Sequence, residues 1–194
     1  MKRIVISIAL CFAILFGASF ALNETAQKNW NKDHLWLMQT ILPGSTDFVK
    51  VSYDGEDANI RDIHKAENGF VIQTVTYGYA GEIVVSVAVN NDGFVTGIVV
   101  EEAHETYGLG SRILNDHVFL SQFLNGTGSF EVATQGADAF SGATAAAETE
   151  GEAVAVDGIS GATVSSKAVV RCVNSAIAYV TGVDAVSAAT SWGG

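Results

Sequence analysis

The chain has 194 residues, enough for one domain with an appendage, and 48% of them are apolar, enough for a real core. A formal charge of −11 excludes nucleic acid as a partner, because no basic patch exists to neutralise phosphates. The same balance excludes a peripheral helix held on anionic lipid.

Residues 1–22 read as a targeting segment. Lys2 and Arg3 form a short positive end, and residues 4–22 are an uncharged, mostly apolar run. Its length lies between that of a cleaved signal and that of a spanning helix. Ser19-Phe20-Ala21 offers the small residues a signal peptidase needs, whereas the length of the run suits a retained anchor. Either outcome puts residues after 22 outside the cytoplasm, on the extracytoplasmic face of the membrane or secreted. Cys11 lies within this run, without the small residue before it that a lipoprotein signal requires. Cys172 is then the single cysteine of the exported part, so no internal disulfide can form there. Its apolar neighbours Val170, Val173 and Ala176 indicate a buried, inert thiol.

Residues 23–69 read as an N-terminal helix and connector. The helical pattern covers 24–42, with Trp30, Leu35, Leu37, Met38, Ile41 and Leu42 as apolar members, and Pro43-Gly44 stops it. His34 and Trp36 belong to this amphipathic helix, which packs on a sheet or beside the membrane. Residues 54–59 are turn-rich and expected on the surface.

Three strands follow at 70–76, 83–89 and 95–101, all rich in Val, Ile and Thr. Asn91-Asp92-Gly93 joins the second and third, with Gly93 supplying the positive φ of such turns. Tyr77-Gly78-Tyr79-Ala80-Gly81 joins the first and second. Two glycines around two tyrosines suit either the close approach of a flat ligand or an ordinary turn. Strands in direct succession indicate an antiparallel sheet rather than βαβ units. Glu105-Thr106-Tyr107-Gly108-Leu109-Gly110 is then a loop whose glycines bring bare backbone to the surface, with His104 beside it as a surface residue. One helix is expected after it, carrying Ile113, Leu114, His117, Leu120, Phe123 and Leu124.

Residues 136–156 are Ala-, Glu- and Gly-rich and read as an acidic insertion. Within it, Ser141-Gly142-Ala143-Thr144 partly copies a later stretch, Ser160-Gly161-Ala162-Thr163. Ala146 stands where the later copy has Ser165, and no long apolar-faced helix follows, so the first copy reads as a solvated loop.

The later copy, Asp157-Gly158-Ile159-Ser160-Gly161-Ala162-Thr163-Val164-Ser165-Ser166, opens a strongly periodic helix. Val169, Val170, Val173, Ala176, Ile177 and Val180 fall close to a 3.6 period. Ser165 or Ser166 can cap it, which places Thr163 just outside the helix N-terminus, beside unpaired amides suited to one phosphate. Gly161 and Ala162 let another molecule approach the backbone. Asp157 and Lys167, the nearest ionisable groups in sequence, do not make Thr163 a self-activated nucleophile, so chemistry at Thr163 is done by another enzyme. Residues 183–194 read as a mobile tail.

Asp-x-x-Ser-Gly-Ala-Thr-x-Ser resembles the acceptor motif at which a flavin transferase attaches FMN to the threonine through a phosphodiester. The family is that of covalently flavinylated FMN-binding domains, including the G subunit of the Rnf electron-transport complex and the C subunit of sodium-translocating NADH:quinone reductase. The resemblance covers roughly residues 70–180. It implies Thr163 as the attachment residue, surrounded by Asp157, Ser160, Gly161, Ala162 and Ser165. It further implies that Glu105, Thr106, Gly108, Leu109 and Gly110 line the flavin site, matching a Glu-Thr-Pro-Gly-Leu-Gly segment in which Tyr107 here replaces the proline. Amides of Leu109 or Gly110 would then bond flavin carbonyls.

The expected fold is α+β, a twisted, largely antiparallel sheet with packed helices behind an apolar signal or anchor, with the FMN-binding domain at 70–182. One FMN is expected at Thr163, and Thr144 is not expected to carry a second. No convergent acid, base or metal cluster accompanies it, which favours an electron carrier over an enzyme with its own small substrate. The implied partners are the flavin transferase, the subunits of a membrane redox complex and, through an uncleaved N-terminal segment, the membrane itself. A stand-alone secreted flavin carrier or reductase, and a non-redox exported surface domain, are the competing readings.

Overall fold

A computed structural model of the protein describes residues 32, 34–133 and 153–182. The targeting segment at 1–22, Thr144 and the tail at 183–194 lie outside the described residues. The chain falls into two units, Met1–Met38 and Gln39–Gly194, and the fold belongs to the second.

Five strands form one antiparallel meander in the order β1 (Val49–Val51), β2 (Ile60–Lys65), β3 (Gly69–Tyr77), β4 (Glu82–Asn90) and β5 (Val95–Ala103). The three strands read from sequence are β3, β4 and β5, each slightly longer than its Val/Ile/Thr run. The β4–β5 hairpin closes as its sequence requires. Gly93 has φ +87°, and the Asn90 side chain accepts the amides of Asp92 and Phe94 at 3.1 and 2.9 Å. The stretch read as a connector adds β1 and β2, an edge pair carrying a Lys50–Asp62 ion pair at 2.5 Å.

Residues 34–41 are helical and end at Pro43-Gly44, where Gly44 has φ +86°. Beyond β5 the single expected helix is two short pieces, a 3-10 helix (Gly110–Leu114) and α1 (His117–Ser121). The break lies at Asn115-Asp116. The Asp116 carboxylate accepts the Phe119 amide at 3.0 Å, so Asp116 starts a new helix instead of continuing the old one. Ile113, Leu120 and Phe123 are buried as their spacing implied, whereas His117 and Leu124 are exposed.

Two three-residue strands, β6 (Phe130–Val132) and β7 (Val154–Val156), pair in parallel. Residues 154–156, read from sequence as the end of the insertion, are therefore part of the fold, with Val156 buried. The long helix α2 (Thr163–Thr181) packs across β3 and β4 and ends at Gly182, whose φ is +69°. Ala168, Val169, Val173, Ala176 and Ile177 face Ile63, Ile72, Ile83, Val85 and Val87 in one apolar core. Cys172 is wholly buried within it, its Sγ 3.5 Å from Thr76 Oγ1, and burial pushes the thiol up from its ordinary value. Asn174 reaches from α2 to β6, accepting the Phe130 amide and donating to the Phe130 carbonyl, both at 2.9 Å. The fold is α+β. Its antiparallel sheet positions the N-terminus of α2 beside the loops that follow β3 and β5.

Candidate functional site

The loop after β5 is built on two backbone bonds. The Thr106 carbonyl accepts the amides of Leu109 at 3.3 Å and Ser111 at 3.2 Å, and the Gly108 amide donates to Ser111 Oγ at 3.1 Å. Thr106-Tyr107-Gly108-Leu109 is thus a β-turn with φ +80° at its third residue. This is the turn that a proline at its second position would favour, so the replacement by Tyr107 leaves the loop geometry in place.

A second turn of the same kind precedes α2. The Ala162 amide donates to the Ile159 carbonyl at 2.9 Å, and Gly161 has φ +79°. The two turns meet. A methyl group on Gly161 would lie 3.3 Å from Leu109 Cδ2, and one on Gly110 would lie 3.0 Å from Ser165 Oγ and 2.6 Å from Glu105 Oε2. Glycine at 110 is thus what allows the seam to close so tightly.

At the start of α2 the structure corrects the capping expectation. Ala162 occupies the N-cap position without a side-chain bond, and Thr163 is the first helical residue rather than a residue outside the helix. Neither Ser165 nor Ser166 caps. The Ser166 hydroxyl instead accepts the Ile159 amide at 3.0 Å and donates to the Ala162 carbonyl at 2.9 Å, pinning the turn onto the helix. The amides of Thr163, Val164 and Ser165 find no acceptor among the described residues, and Thr163 is exposed at the positive end of a 19-residue helix.

Ser165 Oγ is buried, with the residue 1% exposed, and has no hydrogen-bond partner among the described residues. A buried hydroxyl without a partner costs about 1–3 kcal/mol. It sits in the seam where the two turns converge. Free amides, an orphaned hydroxyl and a bare glycine backbone suit a phosphorylated, hydrogen-bonding ligand, so the residues present fit an FMN.

The remaining sequence-derived residues have distinct places. Asp157 is held through its backbone: its amide donates to Gln122 Oε1 at 2.8 Å, and Gln122 Nε2 donates to its carbonyl at 3.1 Å. Its carboxylate and the Ser160 hydroxyl stay exposed. The Leu109 amide is already used in its turn, whereas the Gly110 amide has no acceptor among the described residues. Glu105 is half-buried and turns onto backbone amides. Its Oε1 accepts the Tyr79 amide at 2.6 Å and its Oε2 the Ala80 amide at 3.3 Å, which brings the tyrosine-glycine loop after β3 to the site. Tyr77 is tied at the same strand end, with Arg171 donating to its carbonyl at 2.9 Å and its hydroxyl donating to Glu82 at 3.0 Å. That bond to the Glu82 carboxylate pushes the Tyr77 phenol above its ordinary value.

Sequence reasoning missed Gln122 and Asn174, the clamps that hold Asp157 and Phe130, because a single polar residue within an apolar pattern carries no periodic signal. Among the described residues, no group of three or more His, Cys, Asp or Glu side chains could hold a metal ion. Among the same residues no helix is long and apolar enough to cross a membrane.

Comparison with known proteins agrees with this geometry. The model of the FMN-binding domain family matches residues 78–178, just over half of the chain, from the loop after β3 nearly to the end of α2. The chain is also 33% identical over 110 residues to the G subunit of the Na(+)-translocating ferredoxin:NAD(+) oxidoreductase complex of Acetobacterium woodii. That match covers 56% of this chain and 47% of the relative, so the chain spans about half the length of the curated relative it matches. Both the turn after β5 and the glycine turn before α2 lie inside the matched residues, and the chain belongs to the FMN-binding domain family.

Proposed function

We propose that this protein carries FMN covalently on Thr163, through a phosphodiester, and relays electrons outside the cytoplasm within a membrane redox complex of the Rnf type. The observation that carries this reading is the seam itself. An exposed threonine stands at the first position of a long helix, next to three amides and the Ser165 hydroxyl, all without partners among the described residues.

FMN supplies electron transfer one or two electrons at a time. The protein's share is to bind, orient and retain it. The amides of Thr163, Val164 and Ser165 and the α2 dipole favour the phosphate. Ser165 Oγ and the Gly110 amide are left for the polar edge of the cofactor. Attachment would replace the Thr163 O–H bond by an O–P bond as the phosphoanhydride of a flavin dinucleotide donor breaks, the nucleoside monophosphate leaving and the threonine proton passing to it or to solvent. Among the described residues no base is bonded to Thr163, so a flavin transferase is assigned the step. A covalent link has a physical use in an exported protein. FMN lost from a reversible site there diffuses away, whereas a tether keeps its local concentration high. The likeness to an Rnf-type subunit supports the remaining redox-complex subunits as partners.

Mass spectrometry of the peptide containing Thr163, from protein exported by a host with the transferase, tests the assignment. The expected result is a mass increase of one FMN less water, located on Thr163. An unmodified peptide from such a host overturns the covalent reading.

A further inference from the structure

We propose that Tyr107 is the residue on which the isoalloxazine ring of the flavin stacks, an inference that rests on the reading of the seam as the FMN site. Tyr107 is 96% exposed, more than any other large apolar or aromatic residue described. Its backbone is nevertheless fixed, since both carbonyl bonds to Thr106 and the Gly108 bond to Ser111 hold the turn that bears it. An aromatic ring held out into water by an ordered turn is suited to meet another flat surface.

Three further observations identify that surface. Leu109, in the same turn, rests on Gly161, two residues before Thr163, so a cofactor tethered there has its ring beside this turn once the ribityl chain is spanned. A methyl group on Gly108 would meet nothing within 4 Å, so the space beside the Tyr107 backbone is open. Of the other two exposed tyrosines near the site, Tyr77 ends β3 and Tyr79 lies on the loop after it. Tyr77 is pinned through its hydroxyl to Glu82, and Tyr79 is attached through its backbone to Glu105. Of the three, Tyr107 alone belongs to the turn that touches the acceptor stretch.

A tyrosine stacked on a flavin quenches its fluorescence. The excited ring takes an electron from the phenol and returns it, with no net change, and a phenylalanine stacks without doing so. The experiment compares flavin emission per bound flavin in full-length, flavin-loaded wild type and in Tyr107→Phe, Tyr79→Phe and Tyr77→Phe, first native and then denatured. The expected result is a several-fold rise in native emission for Tyr107→Phe alone, with all four proteins equal after denaturation. Native emission of Tyr107→Phe equal to wild type at equal flavin content overturns the inference and leaves the FMN site standing. A rise in Tyr79→Phe instead also overturns it. Wild type without any flavin overturns the FMN reading and this inference together.

Discussion

The carboxylate of Glu105 accepts the amide of Tyr79 at 2.6 Å, joining the loop after β3 to the loop after β5. Glu105 therefore acts by holding the two loops together. Glu105→Ala should release the Tyr79 and Ala80 amides and cost about 1–2 kcal/mol of stability, the ordinary worth of two net hydrogen bonds. Urea unfolding measures this loss. Flavin content of the folded variant should fall as well, since the loop after β3 is no longer fixed.

Tyr107 stands at the turn position where proline is favoured, and no backbone bond from its amide would be lost. Tyr107→Pro should raise stability by about 0.4–1 kcal/mol by restricting the unfolded chain. Thermal unfolding of the flavin-free protein isolates this effect from any change in flavin contact.

Asn174 supplies the buried Phe130 backbone with both a donor and an acceptor. Asn174→Ala leaves those groups without partners in the core and should cost about 1–3 kcal/mol. A denaturant midpoint lowered with an unchanged slope would confirm it, the slope showing that the folded state is otherwise kept.

Cys172 is buried, and burial raises its pKa. The folded thiol therefore stays protonated after the unfolded thiol has ionised. Its contribution to stability is full below the unfolded value and is lost as pH rises through the folded one. Wild type should become easier to unfold as pH rises above about 8.5, the ordinary thiol value, a dependence weakened in Cys172→Ala. A thiol reagent at neutral pH should label Cys172 only after unfolding.

The sequence made β3, β4 and β5 legible because their Val, Ile and Thr runs are long and separated by glycine turns. It hid β1 and β2, which are short or rich in charge: Lys50, Arg61, Asp62 and Lys65 read as loop until their pairing is seen. β6 and β7 were equally hidden, since three residues on each side of a long connection give no period, and only their parallel pairing makes them strands. In the site, residue identities were readable and directions were not. Glu105 was expected to line the flavin site, yet its carboxylate turns onto backbone amides. Ser165 or Ser166 was expected as a cap, yet the Ser165 hydroxyl is buried with no partner among the described residues while Ser166 fixes the turn. Side-chain direction depends on how two turns far apart in sequence meet, at Leu109 and Gly161, and no local pattern encodes that.

The central claim is a covalent flavin on Thr163, and flavin fluorescence of the protein band in a denaturing gel tests it most directly. Wild type, Thr163→Val and Thr144→Val are to be exported from a host with the flavin transferase. Thr163 is exposed, so its replacement leaves the core intact. Bright bands for wild type and Thr144→Val with a dark band for Thr163→Val is the expected result. A fluorescent Thr163→Val band, or a dark wild-type band, would contradict it.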